Sequence, residues 1–210
     1  AISRPAQRPV EITQWGCVLD RLNEEPDNDA IPFGSGSPDM CQSTMAPLWK
    51  AMTRLMQAQD SRVLNYDPVY GSHALREQVA RLTIDSGCHL NPADIIITHG
   101  CHEALMVAIR AACQEGDIVA VESPAFHGIM QKLRGSKIKV IEIPTDSSTG
   151  ISVEALKLAL EQWPIKAVML VPNCNNPLGF IMPEQRKREL LSLAQCYDIA
   201  IIEDDVYGDL

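Results

Sequence analysis

Two carboxylates near the end of the chain, Asp204 and Asp205, directly follow the largely apolar segment 199–203 and precede Tyr207. Burying an unpaired charge is costly, so a carboxylate that emerges from an apolar strand must be paired with something. Magnesium, bound in the manner of a Walker B motif, is one candidate partner. The sequence shows no G-x-x-x-x-G-K-[ST] pattern, however, and that phosphate-binding loop normally accompanies such a motif. This disfavours the magnesium interpretation.

A second polar segment, Pro-Asn-Cys-Asn-Asn-Pro-Leu-Gly at 172–179, follows the apolar run 167–171. Proline and glycine fix a loop there, and the side-chain amide of Asn176 can donate a hydrogen bond to an anionic oxygen. The alternative is an asparagine-rich turn whose hydrogen bonds are only structural.

Gly100 lies between the apolar run 94–98 and a predicted helix that begins at residue 101. Glycine permits a tight turn, and the unpaired N–H groups at a helix N-terminus bind phosphate readily. A plain connection between a strand and a helix would look the same in sequence. The neighbouring His99 and His102 could also be metal ligands, which is the less favoured interpretation.

Phe126 follows the apolar run 117–121, which places an aromatic ring at the mouth of the predicted sheet. Such a ring can stack on a planar ligand. It can equally be a core residue of a small satellite cluster.

The elements that must position these groups change character near residue 94. Before it, apolar residues at helical spacing predict helices over 47–59 and 74–84, and 24–39 is expected to be a loop. Beyond it, short apolar runs predict strands at 94–98, 117–121, 140–143, 167–171 and 199–203. Amphipathic segments predict helices at 101–114, 124–134, 152–162 and 183–196. Since both faces of the strands are apolar, we expect a doubly wound α/β fold, a mainly parallel sheet with helices on both faces.

Composition excludes several classes of protein. The 210 residues are 46% hydrophobic and 21% charged, as in a globular protein, and the net charge of −9 would repel nucleic-acid backbones and anionic membranes. No stretch approaches the ~20 consecutive apolar residues of a membrane span. Seven cysteines, odd in number and without a C-x-x-C pair, argue against a disulfide framework or a zinc cluster. We therefore expect a cytoplasmic protein.

The four strand ends together resemble the fold-type I pyridoxal 5′-phosphate enzymes, in particular the class I and II aminotransferases. The resemblance runs from about Phe33 to Leu210, and its most specific motifs are Asn176-Pro177-Leu178-Gly179 and Asp204-Asp205-Val206-Tyr207. Within that family the sequence looks most like the MocR branch of GntR-type bacterial regulators. Those proteins join a winged-helix DNA-binding domain to an aminotransferase-like domain.

The resemblance implies a set of residues that bind the cofactor. Asp204 matches the carboxylate paired with the pyridine nitrogen, and Asn176 and Tyr207 match the residues that hydrogen-bond the phenolic oxygen. Phe126 matches the aromatic residue that stacks on the ring, where tyrosine is commoner. The family's phosphate-binding turn is matched by Gly100, Cys101 and His102.

Two further matches concern a partner subunit and the substrate. Tyr66 matches a tyrosine that reaches the phosphate held by the neighbouring subunit, which implies a homodimer. Gly36 matches, loosely, the loop that lines the substrate carboxylate. At the phosphate turn this sequence departs from the family, because Cys101 stands where many members have a hydroxyl residue and a thiol is a poor hydrogen-bond donor.

The family's Schiff-base lysine lies downstream of the Asp-x-x-Tyr motif, so we expect an incomplete large domain with no catalytic residue of its own. Lys187 is most simply part of a solvated helix face. We expect residues 1–13 to be a linker from an upstream region, 14–50 an N-terminal arm, and 51–210 a partial pyridoxal-phosphate-binding domain. The family places its first strand beside strands that come late in the chain, so residues 94–98 should either be separated from the other four strands or be paired with a partner.

The function that follows is a pyridoxal 5′-phosphate-binding module that senses cofactor or effector in a transcriptional regulator. The effector would be an amino acid or a 2-oxo acid, DNA would bind only through an N-terminal domain outside this sequence, and no membrane would be involved. A free-standing aminotransferase that moves an amino group between an amino acid and a 2-oxo acid is the main alternative. A structural or interaction domain that has lost cofactor binding is a third.

Overall fold

The computed structural model describes residues 41–58 and 65–209, which belong to two compact units. The helical unit comprises the described residues up to Ile97. The sheet unit comprises residues 98–209.

The helical unit contains the two helices predicted from apolar spacing. Helix α1 is Gln42–Gln57 and helix α2 is His73–Asp85. Helix α1 begins before Pro47, so this proline lies inside the helix and not at its first turn, where a proline is best tolerated. A short 3₁₀ helix, Pro92–Asp94, follows α2, and Nη1 of Arg76 donates a 2.8 Å hydrogen bond to the carbonyl oxygen of Pro92. This bond ties α2 to the 3₁₀ turn.

The sheet unit alternates helices and strands in the predicted order. The helices are α3 Cys101–Ala112, α4 His127–Gly135, α5 Val153–Gln162 and α6 Glu184–Tyr197. The strands are β1 Ile118–Ser123, β2 Lys139–Asp146, β3 Gly150–Ile151, β4 Ile165–Leu170 and β5 Ala200–Glu203. Their order across the sheet is β3-β2-β1-β4-β5, and only the β2–β3 pair is antiparallel.

Two apolar cores cover the two faces of the sheet, as the two-sided apolar strands predict. On one face, Val119 and Val121 of β1 pack with residues of α3 and α4. On the other, Ile118 and Ala120 of the same strand pack with residues of α5 and α6. Successive side chains of a strand point to opposite faces, so β1 serves both cores. The doubly wound α/β fold is confirmed, with an added antiparallel edge.

The prediction of a strand at 94–98 is wrong. Residue 94 ends the 3₁₀ helix, and residues 95–98 pair with no strand of the described sheet. The backbone N–H of Ile97 instead donates a 3.1 Å hydrogen bond to the carbonyl oxygen of Tyr70. Since a strand needs a neighbour to satisfy its backbone, an apolar run without one is only extended chain.

Strand β3 was not predicted, although turn chemistry marks it. Oδ1 of Asp146 accepts hydrogen bonds from the backbone N–H groups of Ser148 and Thr149 at 2.8 and 3.1 Å, as aspartate does in tight turns. Gly150 then adopts a φ of +82°, which favours glycine. A search for turn residues would have found this hairpin.

Within the described residues, no helix is both long and apolar enough to cross a membrane.

Candidate functional site

A cavity of about 410 Å³ opens at the carboxyl ends of the central strands of the sheet unit. Strands β1, β4 and β5 are parallel neighbours, so the loops that follow them meet at one edge, where open α/β sheets bind ligands. The cavity is lined by His99, Gly100, Cys101, His102, Phe126, Val171, Asn176, Asp204, Val206 and Tyr207. The structure thus brings together all but one of the residues expected to bind a cofactor, the exception being Tyr66.

The N-terminus of helix α3 forms one wall. Gly100 precedes the helix with a φ of +90°, a conformation that glycine adopts without strain. Its carbonyl oxygen accepts from the N–H groups of Glu103 and Ala104, both at 3.2 Å. The N–H groups of Cys101 and His102 occupy the first two helical positions, where no carbonyl of the preceding turn can accept from them. These donors and the positive end of the helix dipole make this wall suitable for an anion.

The carboxylate Oε2 of Glu103 stabilises this wall, because it accepts a 2.6 Å hydrogen bond from the backbone N–H of His99. The contact is similar to one half of a capping box, in which a glutamate at the third helical position accepts from the N-cap N–H, but here the donor lies one residue before the N-cap. The hydroxyl of Thr98 adds a 3.1 Å bond to the carbonyl oxygen of Gly100. The turn before the helix is therefore held in place by side chains.

Asp204 also lines the cavity and is 7% exposed. Its backbone N–H donates to the carbonyl oxygen of Leu170 at 2.9 Å, which fixes the residue at the end of β5 beside β4. Its Oδ1 atom accepts from Sγ of Cys101 at 3.3 Å and from the N–H of Val206 at 3.4 Å. Both are weak donors for a buried carboxylate, by chemistry in the first case and by distance in the second.

Asp205 has a different environment although it is the next residue. It is exposed, and its Oδ1 accepts a 2.6 Å hydrogen bond from Nδ2 of Asn173. Nζ of Lys187 donates to Oδ1 of the same asparagine at 3.2 Å. Lys187 is therefore half-buried against the loop after β4, and the expectation that it belongs to a purely solvated helix face is corrected.

The thiol of Cys101 is held in its neutral form. Partial burial, followed by the nearby charge of Asp204 and the hydrogen bond to it, raises the thiol pKa to about 11. A thiolate would be placed next to a carboxylate in a cavity from which water is partly excluded. Cys101 is thus a weak hydrogen-bond donor at this site and not a nucleophile.

Phe126 precedes helix α4 and is half-buried, with its ring at the cavity. The ring meets those of His102 and His127 edge-on, with centroid distances of 6.4 and 4.6 Å. Gly128 lies against the ring, because a Cβ atom built at this position would collide with Cε1 of the phenylalanine. The ring is therefore held by contacts with His102, His127 and Gly128.

Glu122 and Asn175 are functional candidates that the sequence analysis missed. Both side chains are 3% exposed, and Nδ2 of Asn175 donates to Oε2 of Glu122 at 2.9 Å. Burial raises the pKa of Glu122 to about 7, against the opposing effect of its hydrogen bonds. The signal was available, since Glu122 is a carboxylate in an apolar strand, as in the argument applied to Asp204.

The remaining predicted residues fall elsewhere. Tyr66 belongs to the helical unit, where its side chain is fully exposed. Gly36 lies outside the described residues. The described residues contain no group of three or more His, Cys, Asp or Glu side chains arranged to hold a metal ion.

Comparison with known proteins identifies the fold and the family. The chain is 58% identical over 209 residues to the HTH-type transcriptional regulator YjiR of Escherichia coli, covering 100% of this chain and 44% of that protein. It is 34% identical over 201 residues to YdcR of the same organism, covering 96% and 42%. It therefore spans less than half the length of these two regulators. The solved structure of Pyrococcus horikoshii kynurenine aminotransferase matches with a TM-score of 0.80 and 30% identity, over 94% of this chain and 50% of that one.

Residues 28–210 match the family model described as aminotransferase class I and II. This range contains both motifs from which the resemblance was inferred, at 176–179 and 204–207. The likeness to HTH-type regulators confirms the second part of that resemblance. The chain belongs to the class I and II aminotransferase family.

Proposed function

We propose that this chain is the pyridoxal 5′-phosphate-binding, aminotransferase-like part of a GntR/MocR-type transcriptional regulator, in which it senses the cofactor or an effector. The observation that carries the proposal is that the nearly buried Asp204 lines the same cavity as the anion-suited N-terminus of α3. A ligand that carries both a cationic ring nitrogen and a phosphate matches these two groups.

The donor set at Asp204 supports this fit. The carboxylate accepts only from a thiol and from a long backbone contact among the hydrogen bonds of the described chain. A protonated pyridine nitrogen would supply the strong, charged donor that a buried carboxylate needs. The anion would in turn keep that nitrogen protonated.

The other lining residues have roles that suit the same ligand. The side chains of Asn176 and Tyr207 would donate to the phenolic oxygen, and Phe126 would cover one face of the ring. The N–H groups of Cys101 and His102 would hold the phosphate. When bound, pyridoxal 5′-phosphate supplies an electron sink for a carbanion at the α-carbon of a substrate.

None of the lysines in this sequence matches the family's Schiff-base lysine. All seven lysines of the sequence precede Asp204, whereas the family's Schiff-base lysine follows the Asp-x-x-Tyr motif. The amino acid or 2-oxo acid that acts as effector, and the homodimer in which Tyr66 would reach the partner's phosphate, are parts of the proposal that rest on the family. DNA would be bound by an N-terminal domain, as the names of the HTH-type relatives suggest.

A free-standing aminotransferase is the second candidate function. The likeness to a solved kynurenine aminotransferase favours it, and it would use the same cavity residues. The coding sequence upstream of Ala1 separates the two functions, because a winged helix there indicates a regulator.

Cofactor binding is tested by titrating the chain with pyridoxal 5′-phosphate and following heat release and cofactor absorbance. Pyridoxal, which lacks the phosphate, and inorganic phosphate, which lacks the ring, are the matched ligand controls. Saturable binding of pyridoxal 5′-phosphate that is weakened in Asp204→Ala supports the proposal. Equal binding by wild type and Asp204→Ala, or no binding at all, contradicts it.

A further inference from the structure

Glu122 links the end of β1 to the loop that follows β4. Its Oε2 atom accepts two hydrogen bonds, from the backbone N–H of Val171 and from Nδ2 of Asn175, both at 2.9 Å. Val171 lines the cavity, and Asn175 directly precedes Asn176, which also lines it. One carboxylate oxygen therefore contacts both ends of a short segment of the cavity wall.

Asn175 extends this link through the loop. Besides its bond to Glu122, Nδ2 donates to the carbonyl oxygen of Val171 at 3.1 Å, and Oδ1 accepts from the N–H of Leu178 at 3.1 Å. The backbone N–H of Asn175 donates to the carbonyl oxygen of Phe180 at 2.9 Å. These bonds surround Asn176 on both sides in the chain, so its backbone position depends on a side-chain network outside the cavity lining.

We infer that Glu122, through Asn175, is a positioning residue that holds Asn176 at the wall of the cavity. The inference rests on the proposed function, because the position of Asn176 affects binding only if the cavity binds a ligand with an acceptor oxygen. Glu122 itself does not line the cavity and acts only through the loop.

The arrangement around the carboxyl group explains which variant should preserve this role. Both hydrogen bonds fall on Oε2, while Oε1 is buried and has no hydrogen-bond partner in the described part of the chain. A glutamine can place its single amide oxygen where Oε2 lies and so accept from both donors. Alanine can accept from neither. It leaves the N–H of Val171 without this acceptor, and Nδ2 of Asn175 with only the carbonyl oxygen of Val171.

The test uses the 210-residue chain and the variants Glu122→Gln, Glu122→Ala and Asn176→Ala, with Glu161→Ala as the control at an exposed helix position. Two properties are measured: the affinity for pyridoxal 5′-phosphate, and the hydrogen exchange of the Val171 and Leu178 amides. We expect Glu122→Ala to weaken binding about tenfold, by analogy with the loss of a buried hydrogen bond that leaves its donor unpaired. Exchange at both amides should accelerate. Glu122→Gln should restore both properties towards wild type, and Glu161→Ala should change neither.

A double-mutant cycle distinguishes positioning from general destabilisation. If Glu122 acts through Asn176, the double variant Glu122→Ala, Asn176→Ala binds no more weakly than either single variant. Additive losses, or a glutamine variant as defective as alanine in both measurements, overturn the inference. If Glu122→Ala does not fold, Asn175→Ala takes its place in the cycle, because it breaks the same link at the loop.

The experiment also distinguishes failure of the proposed function from failure of the positioning role of Glu122. A wild-type chain that does not bind the cofactor refutes the function, but the exchange measurement still decides whether Glu122 holds the loop. Unchanged exchange at Val171 and Leu178 in both Glu122→Ala and Asn175→Ala would overturn the positioning role by itself.

Discussion

Sγ of Cys101 donates a hydrogen bond to Oδ1 of Asp204 over 3.3 Å, between residues 103 positions apart in the chain. The bond joins the N-terminus of α3 to the loop after β5, and hence the expected phosphate wall of the cavity to the expected ring-nitrogen wall. It also makes the ionisation of the thiol depend on Asp204, because the carboxylate raises the pKa of Cys101.

The first prediction concerns the reactivity of Cys101. With its pKa raised from 9.0 to about 11, its thiolate fraction near neutral pH is about a hundredfold smaller than that of an ordinary thiol. Iodoacetamide at about pH 8 should therefore label Cys101 much more slowly than the exposed Cys88 and Cys196. Peptide mass spectrometry over time measures the rates. Asp204→Asn should accelerate labelling of Cys101 alone, and equal rates for all three cysteines in wild type would contradict the assigned environment.

The second prediction compares two adjacent carboxylates. Asp204→Ala should weaken binding of pyridoxal 5′-phosphate by about ten- to a hundredfold, the usual effect of losing a charge-assisted hydrogen bond of 1.5–3 kcal/mol. Asp205→Ala should have little effect, because Asp205 is exposed and bonds to Asn173 outside the cavity lining. Calorimetric titration of both variants measures the difference. Identical affinities in the two variants would contradict the assignment of Asp204 as the partner of the pyridine nitrogen.

The third prediction concerns the aromatic wall. Phe126→Ala should reduce cofactor affinity roughly fivefold, since an aromatic contact contributes about 1 kcal/mol. Phe126→Tyr should be nearly neutral because it keeps the ring. Fluorescence or calorimetric titration gives both dissociation constants. An unchanged constant in Phe126→Ala would show that the ring only packs against His102, His127 and Gly128.

The fourth prediction is the pH dependence of stability at Glu122. Its pKa is raised from 4.5 to about 7 by burial, so the folded state favours the neutral acid. The stability contributed by this preference is complete below 4.5 and is lost as the pH rises through about 7. The expected loss is about 3 kcal/mol, from 2.5 pKa units at 1.36 kcal/mol each.

Urea unfolding at about pH 5 and about pH 8 checks this prediction. The free energy of unfolding of wild type should fall relative to that of Glu122→Gln between these conditions, because the glutamine cannot ionise. Glu161→Gln, at an exposed site, should follow wild type. A constant difference between wild type and Glu122→Gln would show that Glu122 does not titrate in this range.

The sequence by itself determined the class of the fold and the location of the site. Runs such as 117–121 and 167–171 are apolar on both faces, and only a sheet covered on both sides buries such strands. Because the carboxyl ends of parallel strands share one edge, Phe126, Asn176 and Asp204 had to lie near one another wherever those strands paired. Local pattern was sufficient for these conclusions, since each depends on periodicity and on which residue follows a strand.

Local sequence pattern was insufficient where contacts with other parts of the chain decide the structure. The run 94–98 has the composition of a strand, yet it pairs with no strand of the described sheet. Lys187 looked like part of a solvated surface, but α6 brings it to within 3.2 Å of Asn173. In both cases the deciding contact lies far away in sequence.

The two side-chain links at the site were decided only by the tertiary structure. Glu122 meets Asn175 because β1 lies beside β4 in the sheet, and Cys101 meets Asp204 because α3 packs against β5. Strand order depends on long-range packing, and the hydrophobic periodicity of the sequence does not predict it. The donors and acceptors could therefore be named from the sequence, but their partners, and the shifts in pKa that follow from burial beside them, could not.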